Sequence, residues 1–348
     1  LKIWFDILTP KQVMFFGPAV SLLREKGHDV LCTSRDYREA VMLARMKRLD
    51  LEIVGRHGGA GRYEKLAASA ARTLALAGVL EKFAPDVAVT FSSPEGSRVA
   101  FGLGVRLIGF NDSPHSWQVA RLTVPLMDKL LCPWVIPYSA WTRFGIARKD
   151  VTKYRALDPA AWLKRGPSSE AGPDRKIVLV RLEESKASYI VDKGLTSLQL
   201  VDAAVNEFSK VTEVQVLCRY QDQIDDAKKR YAGKAKVVED VFDGVSLIKN
   251  ASLFVGAGGT MSAEAALLGV PTISIAPVRY YVEDYLVSEG LVSRARDAKA
   301  LVRAGNKMLS DEVFRQRQRE KASRTLAAME DPIERIVSAI TKRQPPIR

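Results

Sequence analysis

The chain has 348 residues, 47% of them hydrophobic and 27% charged, a globular composition that excludes intrinsic disorder. Its length exceeds one ordinary compact core and suits two domains of about 150 residues each. Lys and Arg outnumber Asp and Glu by 53 to 40, a net charge of +13 that favours anionic partners: nucleic acid, lipid headgroups or phosphorylated small molecules.

Taken in chain order, short apolar strands alternate with amphipathic helices. The run Lys2–Ile7 reads as a buried strand, Gln12–Lys26 as a helix stopped by Gly27. Strands are expected at Asp29–Ser34, Leu51–Val54, Asp86–Phe91 and Arg106–Phe110. Helices are expected through Arg38–Leu49, Tyr63–Phe83, Gly96–Leu103 and Gln118–Met127. Alternation of this kind means βαβ units and a parallel sheet covered on both faces. The pattern breaks at 156–173, where Pro159, Gly166, Pro167, Ser168, Ser169, Gly172 and Pro173 have linker composition. A second βα series follows. Its strands are Lys176–Arg181, Glu213–Cys218, Ala235–Val238, Ser252–Val255 and Thr272–Ile275. Its helices run through Leu195–Phe208, Ile224–Tyr231, Val245–Lys249, Ser262–Leu268 and Val282–Glu289. The tail Asp311–Lys342 reads as helical with a break at Pro332. The expected architecture is therefore two doubly wound α/β domains, 1–155 and 174–330, facing a central cleft. Residues 156–173 link them, and 331–348 form a terminal helix and tail returning towards the first domain.

Cys32, Cys132 and Cys218 lie far apart in apolar runs and read as small buried residues in a reducing compartment. With only three histidines and no metal-ligand spacing, no metal site is expected. The first residues enter a strand pattern without a signal-peptide pattern, and uncharged runs fall short of the roughly 18 residues that span a bilayer. These features predict a soluble cytoplasmic protein. Asn is scarce beside plentiful charge, which fits a heat-adapted source.

In open parallel sheets, ligands bind beyond the carboxyl ends of the strands. Three strands of the first half end alike: in Thr9-Pro10-Lys11-Gln12, in Ser92-Ser93-Pro94-Glu95 and in Asn111-Asp112-Ser113-Pro114-His115. Each offers a hydroxyl for an N-cap and a Pro for N1, and Thr9 with Gln12 fits a capping box. Helix-start chemistry alone explains the caps. The titratable groups beside them, Asp6, Lys11, Glu95, Asp112 and His115, are not needed by the fold and point to general acid–base work. Asp112 and His115, three residues apart at one expected helix start, are the leading pair; Asp6 also reads as a group capping a neighbouring loop. His57, in Gly55-Arg56-His57-Gly58-Gly59, reads equally as anion contact and as an ordinary turn.

The most specific segment runs from Leu253 to Ile275: strand, Gly256-Ala257-Gly258-Gly259-Thr260, a short helix carrying Glu264, then Gly269-Val270-Pro271 and a strand. Gly258 and Gly259 let a phosphate approach the backbone, Thr260 is placed to cap the helix, and Glu264 lies one turn on, within reach of a ribose. The glycines do not form GxGxxG, and no Gly-Lys-Ser/Thr follows, so dinucleotide and Walker-type readings are weak.

This segment resembles the nucleotide-diphosphate site of GT-B-fold enzymes. It is similar to that of the peptidoglycan glucosaminyltransferase and of the non-hydrolysing UDP-N-acetylglucosamine 2-epimerases. The whole chain also resembles an uncharacterised, largely archaeal family of that superfamily. That likeness rests on Ser92–Glu95, Asn111–His115 and Val180-Arg-Leu-Glu-Glu-Ser-Lys186. The resemblance implies a GT-B-like fold and a UDP-sugar substrate, with no prosthetic group. Gly258, Gly259 and Thr260 would hold the diphosphate and Glu264 the ribose, while Arg181 and Lys186 would offset leaving-group charge in place of a metal. The sequence departs from the glycine-rich first loop of the transferase, and from the acid and His-Glu-Ala-Gly turns of the epimerase.

A glycosyltransferase is the leading expectation, with His115 or Asp112 as base, Glu95 in reserve, and Thr9, Lys11, Gln12, Ser93, Ser113 and His57 around them. A 2-epimerase, using Asp6, Glu95, Asp112 and His115 on both ring faces, is the alternative. The acceptor would be a glycan or a lipid-linked molecule. Phe15, Phe16, Trp117 and Trp134 read first as core and second as a patch for peripheral contact with a membrane inner face. A non-enzymatic basic protein binding nucleic acid or anionic membrane is the third reading. It is weakened because the charge is spread: residues 1–158 hold 23 basic and 15 acidic side chains, the remainder 30 and 25, with no nucleic-acid motif. The oligomeric state is left open.

Overall fold

The computed structural model describes residues 1–59, 61–166, 177–183, 197–239 and 243–342. The chain divides into two compact units, Leu1–Trp162 with Glu330–Arg348, and Leu163–Met329.

Among the described residues the first unit holds seven strands: β1 (Lys2–Asp6), β2 (Asp29–Asp36), β3 (Glu52–Arg56), β4 (Val87–Thr90), β5 (Arg106–Phe110), β6 (Lys129–Pro133) and β7 (Val151–Tyr154). Their order is β3-β2-β1-β4-β5-β6-β7, every pairing parallel. The order reverses between β1 and β4, which makes the carboxyl ends of those strands the topological switch point. Strand residues alternate between two cores. Trp4, Ala88, Leu107 and Leu130 join one apolar cluster with Leu76, Leu80 and Trp141. Phe5 faces the other way, into an aromatic nest where Phe15, Phe16, Phe91 and Phe110 meet edge-on at centroid distances of 5.2–6.3 Å. Edge-to-face pairs of this kind add about 0.5–1.5 kcal/mol each beyond their buried area. Phe15 and Phe16 are fully buried there, so the aromatic membrane patch read from the sequence does not form; Trp117 alone of the four is largely exposed.

Two strands of this sheet, β6 and β7, are absent from the periodicity reading. β6 ends in Pro133, and β7 is a four-residue edge strand with half-buried Thr152 and Lys153 at its middle. The following residues, expected as linker, begin inside the first unit: Ala156, Leu157, Asp158, Ala160 and Ala161 are all buried. Residues 167–173 lie outside the described residues.

The helix Pro332–Thr341 belongs to the first unit and packs along the helix Pro10–Glu25. Asp331 caps it, accepting from Ile333 N–H at 2.9 Å, and Pro332 takes the first helical position. Its buried residues Ile333, Ile336, Val337 and Ile340 follow the i, i+3, i+4, i+7 stripe. The Arg106 guanidinium fastens its end, donating to the carbonyls of Ala339 and Lys342 at 3.2 Å each.

In the second unit the described strands are β8 (Ile177–Arg181), β9 (Glu213–Leu217), β10 (Lys236–Val238), β11 (Leu253–Gly256), β12 (Thr272–Ser274) and β13 (Val292–Arg294), in the parallel order β10-β9-β8-β11-β12-β13. Val178, Val180, Leu253 and Val255 enter one cluster, and Leu179 and Phe254 the opposite one, so this sheet too is covered on both faces. β13 and the helix Ala298–Ser310 are additions to the sequence reading. Among the described residues, no helix is long and apolar enough to cross a membrane.

Candidate functional site

Two charged clusters stand at the strand ends of the first unit. Asp6, the last residue of β1, is fully buried. Its carboxylate takes a two-pronged ion pair from Arg72, at 2.6 and 3.0 Å, and a hydrogen bond from Thr33 Oγ1 at 2.8 Å. Trp4 Nε1 donates in turn to Thr33 Oγ1 at 2.8 Å. Arg72 comes from the long helix Arg62–Phe83 and also donates from Nε to the Val54 carbonyl at 2.8 Å. Burial alone would lower the Arg72 pKa; Asp6 and, behind it, Glu95 raise it. Glu95 lies 3.6 Å from Arg72. Arg35, near the end of β2, is pulled down by burial despite Glu95 nearby, and its buried Nε lacks a hydrogen-bond partner. Gly96 leaves room for this packing, since a Cβ there would lie 2.9 Å from Asp6 Oδ2. Asp6 thus holds Arg72 in place with its lone pairs committed, a positioning task rather than a proton-transfer one.

The second cluster centres on Lys11, in the first turn of Pro10–Glu25. Its ammonium lies 2.6 Å from Oδ2 of both Asp112 and Asp158, and 4.2 Å from the centre of the Phe91 ring. Asp158 Oδ1 accepts from the Tyr154 hydroxyl. Lys11 is the ionic partner of Asp158 Oδ2, and among the described residues no other donor reaches that oxygen. Ser113 Oγ donates to Asp112 Oδ1 at 2.8 Å. The two carboxylates titrate apart. Burial pushes Asp158 up to about 6, with Lys11 opposing and Asp112 reinforcing the rise. Burial acts on Asp112 as well, but Lys11, Ser113 and then His115 together hold it below the ordinary range. Lys11, which burial would lower, is raised by the two carboxylates, and Tyr154 is held well above its usual value by burial and Asp158.

The hydroxyl–proline devices behave differently from one another. Ser93 caps the helix Pro94–Gly102, its Oγ accepting from Gly96 N–H at 3.0 Å. Thr9 occupies the N-cap of Pro10–Glu25, but its side chain makes no cap bond. The expected capping box is replaced by Gln12, which accepts from Leu8 N–H at 2.6 Å and donates to the Phe91 carbonyl at 3.3 Å, tying the ends of β1 and β4. Ser113-Pro114 does not start a helix. Asn111 Oδ1 accepts from Ser113 N–H at 2.7 Å, an Asx turn, and the helix begins only at Trp117. Asp112 and His115 therefore stand in a turn beyond β5. Ser92 takes a left-handed φ of +54°, stabilised by a hydrogen bond from Asn111 at 2.7 Å. His57 sits beyond the edge strand β3, stacked on Tyr37 at 5.4 Å, and accepts from Gly59 N–H at 3.1 Å. That is an ordinary turn role, two strands away from β1.

In the second unit β11 runs into Gly258 and Gly259, with φ of +88° and +83°, and then the helix Thr260–Leu267. Gly259, not Thr260, is the N-cap, so the cap residue itself offers no side chain to the first N–H groups of this helix. A side chain at Gly258 would be strained by its φ and would meet Tyr280 at 2.7 Å. Glu264 is buried within the helix. Arg181, at the end of β8, is paired in register with Gly256 and donates to the Cys218 carbonyl at 2.8 Å. Lys186 lies outside the described residues. A third group here escaped the sequence reading. Glu283 accepts from Ser274 Oγ at 2.8 Å and from Arg294 Nε at 2.8 Å, joining the ends of β12 and β13 beside Gly258. Burial raises its pKa against the pull of Ser274 and Arg294.

Arg72 was legible in principle: it stands four and eight residues before Leu76 and Leu80, a charge on the buried stripe of its helix. Asp158 was hidden in a Pro/Gly-rich stretch, and Glu283 in a helix start with two adjacent acids, where solvation is the default. Among the described residues, no group of three or more His, Cys, Asp or Glu side chains is gathered as a metal site.

Two doubly wound Rossmann-like units in one chain, the second carrying a glycine turn at its central strand end, define a GT-B-fold protein. The chain belongs to the family described as "Protein of unknown function (DUF354)", whose model matches residues 1–165 and 169–343. It is 25% identical over 324 residues to an uncharacterized protein of Methanocaldococcus jannaschii, MJ0665, covering 87% of this chain and 90% of that one. Among solved structures, it is similar to the Neisseria meningitidis UDP-GlcNAc 2-epimerase bound to UDP-GlcNAc, with a TM-score of 0.75, 13% identity, and 99% and 100% of the two chains covered. The M. jannaschii UDP-GlcNAc 2-epimerase in complex with UDP-GlcNAc and UDP gives a TM-score of 0.72 at 17% identity, over 98% and 99%. The spinosyn rhamnosyltransferase SpnG with its aglycone gives 0.63 at 15%, over 98% and 100%. At these identities the likeness to solved structures establishes the fold.

Proposed function

We propose that the chain is a sugar-nucleotide-dependent enzyme, a glycosyltransferase whose second unit binds a UDP-sugar. The observation that carries this reading is the Gly258–Gly259 turn, with both φ values positive, feeding a helix whose N-cap is a glycine without a capping side chain, and a buried carboxylate, Glu264, one turn on. Backbone N–H groups at such a helix start suit a diphosphate, and a carboxylate one turn further suits a ribose diol. Thr260 adds a hydroxyl. Arg181, in register with Gly256, supplies fixed positive charge for the departing diphosphate, together with Lys186. Support for a nucleotide-sugar ligand comes from the fold relatives solved with UDP-GlcNAc or UDP.

The first unit supplies the proton chemistry. His115 takes the proton of an acceptor hydroxyl, and Asp112, ionised beside it, stabilises the imidazolium formed. Glu95 is the reserve base. UDP binding measured by calorimetry tests the donor site. Glu264→Ala weakens UDP at least tenfold, the loss of a charged hydrogen bond. His115→Ala leaves UDP affinity intact and removes turnover. Unchanged UDP affinity in Glu264→Ala overturns the assignment.

A second reading, a 2-epimerase acting on UDP-N-acetylglucosamine, is favoured by one observation: Asp112 and Asp158, both against Lys11, titrate in opposite directions from the usual value. Divergent carboxylates of this kind provide an acid and a base together. Incubating UDP-N-acetylglucosamine with enzyme in deuterated water separates the readings. Solvent deuterium at C2 without an added acceptor selects epimerisation; transfer needs the acceptor.

A further inference from the structure

The helix Glu312–Ala328 carries two ridges of cations with opposite fates. On one, Arg315 and Arg319 both pair with Glu312. On the other, Arg317, Lys321 and Arg324 stand at i, i+4 and i+7, and none of the three has an ion-pair partner among the described residues. At 1.5 Å rise per residue they form a row roughly 10 Å long. Like charges so spaced on one helix face repel each other, an effect that Glu320 between them offsets only in part, leaving three cations against one acid.

These three side chains line a groove of about 310 Å³ with Phe314, Gln318 and Gly290. The groove has a built floor. Gln318 is buried, and its Nε2 donates at 3.1 Å to the carbonyl of Gly290, in the turn before β13. One acidic residue, Glu320, also lines it, and that carboxylate accepts from Gln316 at 2.8 Å. We propose that this groove is a binding site for a linear polyphosphate-type anion, a small molecule bearing two or more linked phosphates, separate from the Gly258–Gly259 turn. A single phosphate engages at most two neighbours of the row, whereas a linked chain of phosphates neutralises all three. Arginine and lysine together supply forked and point-charge donors for it. The site accounts for part of the +13 net charge that the glycine turn leaves unexplained.

The test is calorimetric titration of the full chain with inorganic tripolyphosphate at constant ionic strength. The triple variant Arg317→Gln, Lys321→Gln, Arg324→Gln is compared with a control of equal charge change, Lys26→Gln, Arg45→Gln, Lys229→Gln, at exposed positions elsewhere. The expected result is a loss of one binding site, or at least tenfold in affinity, in the groove variant alone, with orthophosphate at least tenfold weaker on the wild type. The groove variant keeps wild-type UDP affinity, so failure of the UDP assignment is read separately. An unchanged isotherm in the groove variant, an equal loss in the control, or equal binding of orthophosphate overturns the proposal. Tighter binding of a single-stranded oligonucleotide through the same three residues also overturns it.

Discussion

The carboxyl ends of the central strands β1 and β11 follow opposite electrostatic plans. In the first unit they are crowded with charge that the protein itself neutralises: Asp6 with Arg72, and Lys11 with Asp112 and Asp158. In the second, the turn after β11 is glycine, and the N-cap residue of its helix has no side chain to cap with. The first arrangement is organised before any ligand arrives, because each buried charge needs its partner for the unit to fold. The second leaves backbone donors for a ligand to satisfy. Of the two preformed clusters, the one around Lys11 suits proton transfer, and an open backbone turn suits anion binding.

The largest effect should come from breaking the first plan. Arg72→Met strands the Asp6 carboxylate in the core and should cost about 3–5 kcal/mol, read by urea unfolding. A loss under about 1 kcal/mol would mean that Asp6 is not buried as an ion. Breaking the second plan should cost less stability and more binding. Gly258→Ala places a Cβ in a left-handed backbone, about 1–2 kcal/mol, and against Tyr280; UDP affinity should be lost while the first unit melts normally.

The sharpest contrast is in pH. Asp158 keeps its proton up to about 6 in the folded chain against 3.8 for the free group, so its contribution to stability is full below about 4 and is lost as pH rises towards 6. Asp112, held low, works the other way: its contribution is present above its unfolded value and is lost as pH falls. Asp158→Asn should therefore remove a decline in stability between pH 4 and 6, seen in denaturant midpoints across that range. Retention of the same decline would assign it elsewhere. The smallest effect is Ser93→Ala, which removes one helix cap and should cost about 1 kcal/mol with UDP binding unaltered.

Most of the architecture was legible because ten strands are apolar runs bounded by helices. The exceptions, β6, β7 and β13, carry Pro133, Lys153 and Arg294. Their strand character comes from sheet neighbours, which a linear pattern does not reveal. Of the candidate site, the glycine turn was legible since positive φ leaves a mark in residue type. The pairings were not. Asp6 and Arg72 are 66 positions apart, and Lys11 and Asp158 lie in segments that read as a helix start and a linker. Side-chain partnership at such separations is a product of the folded sheet, and Asp6 consequently looked like a free acid.

The helix Pro332–Thr341 has a consequence in time. The surface it covers on Pro10–Glu25 is made roughly 300 residues earlier. At a synthesis rate of roughly 5–20 residues per second, that apolar flank waits roughly 15–60 s for its cover while the whole second unit is translated. The first half of the chain to emerge is thus the last to be finished. A nascent-chain chaperone has its longest opportunity there, and loss of the helix Pro332–Thr341 would spoil the first unit rather than the second.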